Sequence, residues 1–169
     1  MTYVHEYASP LGTLTIASDG GNITGLWKLG QKYYGQTLPK DASARHVPVF
    51  DLVGLWLDEY FNGSNPRTNL PLAPPGSRFR QEIWNLLLDV PYGETTTYGD
   101  IAKIIAGRRR ARTMSAQAVG GAVGHNPISI IIPCHRVLGG SGSLTGYAGG
   151  LAMKQWLLNH ERSRPPQGR

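Results

Sequence analysis

A proline-rich break near the middle constrains this chain most. Pro71-Leu72-Ala73-Pro74-Pro75-Gly76-Ser77 puts three prolines and a glycine into seven residues. Proline fixes φ and lacks a backbone N–H, so neither a helix nor a central strand runs through such a stretch, and Pro-Pro favours an extended spacer. The charge balance changes sign at the same place. Residues 1–75 hold five Lys/Arg and six Asp/Glu, whereas residues 76–169 hold twelve and five. The whole surplus behind the net charge of +6 therefore lies in the second half. A chain of 169 residues can form one domain or two small ones. The boundary is placed at this break, giving parts 1–75 and 76–169.

The first part reads as strands followed by a helix. Gly12 to Ala17 alternates with period two, Asp19-Gly20-Gly21-Asn22 supplies turn chemistry, and Ile23 to Trp27 resumes the alternation, a hairpin pattern. Leu52, Leu55, Trp56 and Tyr60 recur at helical spacing within 50–61, and Asn62-Gly63-Ser64-Asn65-Pro66 stops the helix. The second part is mostly helical. Phe79, Ile83, Leu86 and Leu87 mark one helix, capped by Ser77, and Pro91-Tyr92-Gly93-Glu94 is a turn. Thr97 with Asp100 opens a second helix that Gly107 ends, and Ser115 caps a small-residue helix over 116–123. Helix, short connection, helix is a helix-turn-helix outline, but by itself a weak one that two packed core helices explain more simply. Ile128-Ser129-Ile130-Ile131-Ile132 reads as a buried strand, followed by a glycine-rich loop over 139–150, a last helix over 151–162 and a polar tail expected to fray.

Composition excludes several classes. The chain is 40% hydrophobic and 17% charged, a globular balance. No apolar run nears the roughly 20 residues of a membrane span, and no signal peptide is visible at Met1–Glu6. One cysteine allows no internal disulfide and no cysteine cluster for zinc, which fits a reducing, cytoplasmic setting. The basic second half suits a polyanionic partner or a solvated basic face.

The lone thiol, Cys134, sits beside His135. A thiol attacks carbon as thiolate, and an imidazole can accept its proton directly or through a water. Adjacent residues on an extended segment point to opposite faces, so a direct contact needs a turn there. Glu161, the only acidic residue after Asp100, is the candidate for orienting the imidazole. The alternative is a buried cysteine acting as a small hydrophobe. Gly140 and Gly142 suggest a dinucleotide loop, but Thr145 breaks that pattern, and a lid or pocket wall suits the segment better.

Pro133-Cys134-His135-Arg136-Val137 resembles the active-site signature of the O6-alkylguanine-DNA alkyltransferases. The flanks agree over about 78–162: Val119-Gly120-Gly121-Ala122, Asn126-Pro127, Gly146-Tyr147-Ala148-Gly149-Gly150 and Trp156 to Glu161. The resemblance implies an α/β (α+β) protein, with a small N-terminal strand–helix domain of ribonuclease H-like outline before a winged helix-turn-helix-like domain. It implies methylated-DNA–[protein]-cysteine S-methyltransferase activity: Cys134 takes an alkyl group from O6 of guanine, or from O4 of thymine, in a single turnover. His135 would deprotonate the thiol through a water, Glu161 would hold His135, and Asn126 would position the segment. Tyr98 would protonate the leaving base. Backbone at Cys134 and Val137, with Tyr147, Ala148 and Gly149, would line the base pocket. Ser115, Ala116, Gln117, Ala118, Gly120 and Gly121 would meet the DNA minor groove, with Arg136 and the run Arg108, Arg109, Arg110 and Arg112 as further DNA contacts.

The implied partner is double-stranded DNA carrying the lesion, met by a monomer with no cofactor, metal or membrane. An atom inside the base stack is reachable only once the base is rotated out. Two positions depart from the family pattern. Gln117 stands where an intercalating arginine is usual, so that either Gln117 or an arginine of 108–112 fills the vacated stack. Ala148 replaces a serine found in some members. A lesion-binding or signalling protein without turnover and a cysteine hydrolase are the other readings; retention of the cysteine argues against the first, and the absence of a recognisable oxyanion hole against the second.

Overall fold

The computed structural model describes residues 1–163; the tail expected to fray, 164–169, lies outside the described residues. Strands β1 (Tyr3–Ser9), β2 (Gly12–Ser18) and β3 (Ile23–Lys28) form an antiparallel sheet in the order β1-β2-β3. The expected hairpin is β2-β3; β1 was not anticipated, because its polar residues face solvent at the sheet edge and blur the alternation. Helix α1 (Val49–Phe61) packs on the sheet. Half of the expected apolar face is turned outward: Leu52 and Leu55 are 45% and 63% exposed, whereas Tyr60 is buried and Trp56 partly so. Phe50, Val53 and Leu57 are buried with Tyr60, so the inner face is rotated from the expected stripe but overlaps it.

The proline-rich segment is extended, as its composition requires, but it is not a free spacer. Ile23 N donates to Pro71 O at 2.7 Å and Ala73 N to Ile23 O at 2.8 Å, so the segment lies along β3. Leu26 makes the same kind of contact with the second half, donating to Pro127 O at 2.8 Å and accepting from Ser129 N at 3.0 Å. One hydrophobic core therefore runs through both halves, from Leu14 and Ile16 to Ile83, Val119 and Leu157.

Three helices of the second half begin where their caps dictate. The side chains of Ser77, Thr97 and Ser115 accept from Arg80 N, Asp100 N and Ala118 N at the starts of α2 (Arg78–Leu88), α3 (Tyr98–Arg108) and α4 (Ala116–Gly124). Helices α3 and α4 pack together as the helix-turn-helix pair, and α2 backs α4 through the buried Trp84, whose Nε1 donates to Ala122 O at 2.9 Å. A short strand β4 (Thr96–Thr97) pairs in parallel with β5 (Val137–Leu138), and α5 (Leu151–Ser163) closes the fold.

The isoleucine-rich run is buried but is not a strand. Only Ile128 makes a bridge, to Leu26, and Ile130 adopts φ 71, a left-handed backbone that is an outlier for a β-branched residue. Side-chain hydrophobicity buried this segment, while its backbone polar groups found partners in Asn126 and in local turns rather than in a ladder. Cys134 thus opens a one-turn 3-10 helix, Cys134–Arg136, instead of ending a strand.

Trp84→Phe keeps a ring but removes the donor to Ala122 and leaves a small void. We expect a loss of about 1–3 kcal/mol in chemical denaturation; a loss under about 0.5 kcal/mol would show that the α2–α4 bond contributes little.

Candidate active site

Asn126 shapes the segment that carries the thiol. Its Nδ2 donates to Ile132 O at 2.8 Å and Ile128 O at 3.2 Å, and its Oδ1 accepts from Ile128 N at 2.9 Å. The buried amide replaces the missing ladder and bends the chain so that Pro133 leads into the 3-10 turn. Cys134, 5% exposed, lies at the start of that turn. Burial pushes its thiol up from the usual value, while the Asn126 amide and the Lys154 charge pull the other way.

Glu161 is the hub. Its Oε1 accepts from His135 Nε2 at 2.7 Å, Tyr60 Oη at 2.8 Å and Arg136 Nη2 at 2.9 Å. Its Oε2 accepts from Arg136 Nε at 2.9 Å and Gly93 N at 3.2 Å. Burial alone would raise this carboxyl, but the hydrogen bond from His135 and the bonds and charge of Arg136 hold it well below the usual carboxylate range. The carboxylate is ionised, so Nε2 of His135 carries the proton. Burial keeps the imidazole neutral by lowering its pKa below 6.5. Nδ1, buried and without a partner, is then left with a free lone pair. Gly93 takes φ 78 in the Pro91–Glu94 turn, which lets its N–H reach the carboxylate.

One expectation needs correction. Arg136 is not a DNA contact: it is 8% exposed, paired doubly with Glu161, and donates to Val90 O at 2.7 Å. A guanidinium fork matches a buried carboxylate, and the hub claims it. Val137 O, expected to meet the guanine amino group, already accepts from Lys154 Nζ at 2.5 Å, which leaves one lone pair.

Tyr98, the first residue of α3, directs its hydroxyl to Thr145 O at 3.2 Å; burial and then the neighbouring thiolate raise its pKa, so it keeps its proton. Tyr147 Oη is buried next to Cys134, and burial and then that thiol raise its pKa too. At Gly149 a Cβ would lie 2.5 Å from Met153 Sδ and 2.9 Å from Tyr147 Cε1, so glycine leaves both side chains their present places. Lys154 was not anticipated. It is fully buried in α5, and its ammonium also donates to Thr145 O at 2.9 Å, pinning the glycine-rich loop beside the thiol. The signal was present: Lys154 falls at helical spacing with Leu157, Leu158 and Glu161 on the inner face of α5.

On the outside of α4, Ala116, Gln117, Ala118 and Gly121 are exposed, with Ser115 capping beneath them and Gly120 half-buried against Tyr98. Gly121 and Gly124 have open space where a Cβ would be, so the fold itself does not require glycine there. Arg108, Arg110 and Arg112 are exposed, whereas Arg109 is engaged by Glu82 at 3.0 Å and lies over the Phe79 ring. Among the described residues, no group of three or more His, Cys, Asp or Glu is placed to hold a metal ion. No helix is long and apolar enough to cross a membrane among them.

The hub sets an acid limit on stability. The Glu161 carboxylate stabilises the fold above its unfolded value near 4.5, and that contribution is lost as pH falls below it. His135, held neutral, adds a loss that begins as pH falls through 6.5, where the unfolded chain takes the proton first. Glu161→Gln leaves Arg136 buried without its anion. We expect it to lose about 3–5 kcal/mol at neutral pH and to show a shallower decline toward pH 4 than the native chain. Denaturation curves of equal steepness in pH for both proteins would refute the assignment.

Comparison with known proteins follows the same lines. Residues 78–163 match the model for the 6-O-methylguanine DNA methyltransferase DNA binding domain, and residues 2–74 match that for the ribonuclease-like domain. A methylated-DNA–protein-cysteine methyltransferase of Haemophilus influenzae is 45% identical over 161 residues, 95% of this chain and 86% of the relative. One from Mycobacterium tuberculosis is 42% identical over 170 residues, 98% of this chain and 96% of the relative. The structure of M. tuberculosis OGT in complex with DNA superposes with a TM-score of 0.83 at 40% identity, covering 98% of this chain and 96% of that one. With both halves matched in order and relatives this similar across nearly its whole length, the chain belongs to the 6-O-methylguanine DNA methyltransferase family.

Proposed function

We propose that this protein repairs alkylated DNA by moving a methyl or other small alkyl group from O6 of guanine to Cys134, once per molecule and without a cofactor, as a monomer in the cytoplasm. The observation that carries this reading is the buried Cys134 beside an imidazole whose Nε2 is locked to Glu161 and whose Nδ1 is free. The activity for which the relatives are named, methyl transfer from methylated DNA to a protein cysteine, supports it.

The chemistry follows from the charges. His135 Nδ1 takes the thiol proton, through a bridging water, and the imidazolium formed is balanced by Glu161. The thiolate is favoured by the Lys154 ammonium and the Asn126 amide against the cost of burial. Its electron pair forms the S–C bond as the C–O6 bond breaks, and that bonding pair stays with guanine. Tyr98, still protonated, donates its hydroxyl hydrogen to the ring as negative charge develops there. Nothing in the site cleaves a thioether, so the product persists. The exposed small residues of α4 suit close approach to a minor groove, and Gln117 or one of Arg108, Arg110 and Arg112 suits the vacated stack. Ala148 offers no hydroxyl, so any hydrogen bond to O6 at that position comes from backbone. The same pocket logic admits O4-alkylthymine as the alternative lesion.

Intact-protein mass spectrometry after mixing with an O6-methylguanine duplex should show one methyl increment, mapped to the Cys134 peptide, and Cys134→Ala should show none. Repeated turnover without a protein adduct would instead support a cysteine hydrolase. Tyr98→Phe should slow single-turnover transfer by roughly 10–1000-fold, the range for losing one donor to developing charge; an unchanged rate would assign the proton to water.

A further inference from the structure

The cavity beside Tyr98 and Tyr147 has a wall that the chemistry does not explain. Its volume is about 340 Å³, and Tyr98, Tyr147 and Ala148 line part of it. Lys32 and Tyr33, from the loop after β3 in the N-terminal half, and His125 at the end of α4 complete the lining. Lys32 N donates to Ala148 O at 2.9 Å, tying that loop to the glycine-rich loop at the cavity rim.

Tyr33 is the unusual residue. It adopts φ 62, where a bulky side chain is strained, and where glycine or asparagine would sit more easily. Such outliers persist where the surroundings hold them, often at ligand clamps. Its half-buried ring stacks on the His125 imidazole, with centroids 4.2 Å apart and planes at 25°. The imidazole is itself held, donating from Nδ1 to Gly121 O at 2.7 Å. The Lys32 ammonium lies 5.0 Å from the centre of the Tyr33 ring. A rigid aromatic pair and a cation thus share the rim of a cavity whose α4 side is glycine. That combination matches a nucleotide: a flat apolar face for the rings, a phosphate for the ammonium, and a gap for the strand.

We propose that Lys32, Tyr33 and His125 form a clamp on the extruded nucleotide, so that the N-terminal half is part of the substrate site. The proposal rests on the alkyltransfer reading given above. Stacking should hold the nucleoside in the cavity after it leaves the duplex, while Lys32 meets its phosphate.

The test uses the full chain in single-turnover transfer from a methylated duplex, with binding to the unmodified duplex and thermal melting measured alongside. Tyr33→Gly and Tyr33→Asn both tolerate the left-handed backbone, and that relief offsets the lost contact with His125, so they should melt within a few degrees of the native chain. They should nevertheless transfer about tenfold more slowly or worse, by the usual worth of base–aromatic stacking, with unmodified-duplex affinity within about twofold. Tyr33→Phe should transfer like the native chain. Lys32→Gln should reduce the salt slope of transfer by about one. Transfer within about twofold of native in both the glycine and asparagine variants overturns the clamp. So does a parallel loss of unmodified-duplex binding, which would make the ring a general DNA contact, or a melting temperature that falls beyond those few degrees along with the rate, which would make it structural. A native chain that acquires no methyl group overturns the alkyltransfer reading itself, and the clamp with it; the two failures are therefore distinguishable.

Discussion

The Glu161 carboxylate is the interaction on which the rest depends. A buried carboxylate is tolerated only when its charge and lone pairs are met. Here the donors come from α1, the Gly93 turn and the 3-10 helix that carries the thiol, while the carboxylate itself belongs to α5. A single anion thereby fixes the relative positions of four pieces of chain. Because Arg136 and His135 converge on it, the turn containing Cys134 cannot rotate without leaving a charge unpaired in the core. The same anion orders the imidazole by holding Nε2–H and leaving Nδ1 open. Fold stability and chemistry draw on one contact set.

The thiol shows how opposing effects are balanced. Burial disfavours its ionised form, and in isolation a cysteine with so little exposure would be inert. The Asn126 amide and, after it, the buried Lys154 ammonium oppose that cost without outweighing it. Three carbonyl partners keep the ammonium satisfied in the absence of a thiolate, so the charge waits in place. The positive field is thus supplied in advance of the reaction rather than gathered during it.

Local signals carried much of the architecture. Caps at Ser77, Thr97 and Ser115 marked three helix starts, and turn chemistry at Asp19–Asn22 marked the hairpin, because each depends on residues a few positions apart. The pairing of His135 with Glu161 was legible from the scarcity of acids in that half. What was not legible depends on distant partners. The isoleucine run reads as a strand by composition, yet an asparagine side chain displaced the ladder. Arg136 reads as a DNA contact by charge, yet the core needed it. Lys154 sits on an inner helix face, where the bland expectation is an apolar residue. The aromatic rim escaped notice because Tyr33 and His125 are brought together only by the docking of the two halves.

The bond from Trp84 to Ala122 bears on who yields when protein meets duplex. It roots α4 in the backing helix by its inner carbonyl, and on the outer side Gln117 is the one long arm among small residues. Such a helix behaves as a fixed edge with little reach. Distortion must then be borne by the double helix, whose stiffness varies with sequence. Recognition would be governed by how readily a given base pair opens, so that weakly paired, damaged sites select themselves.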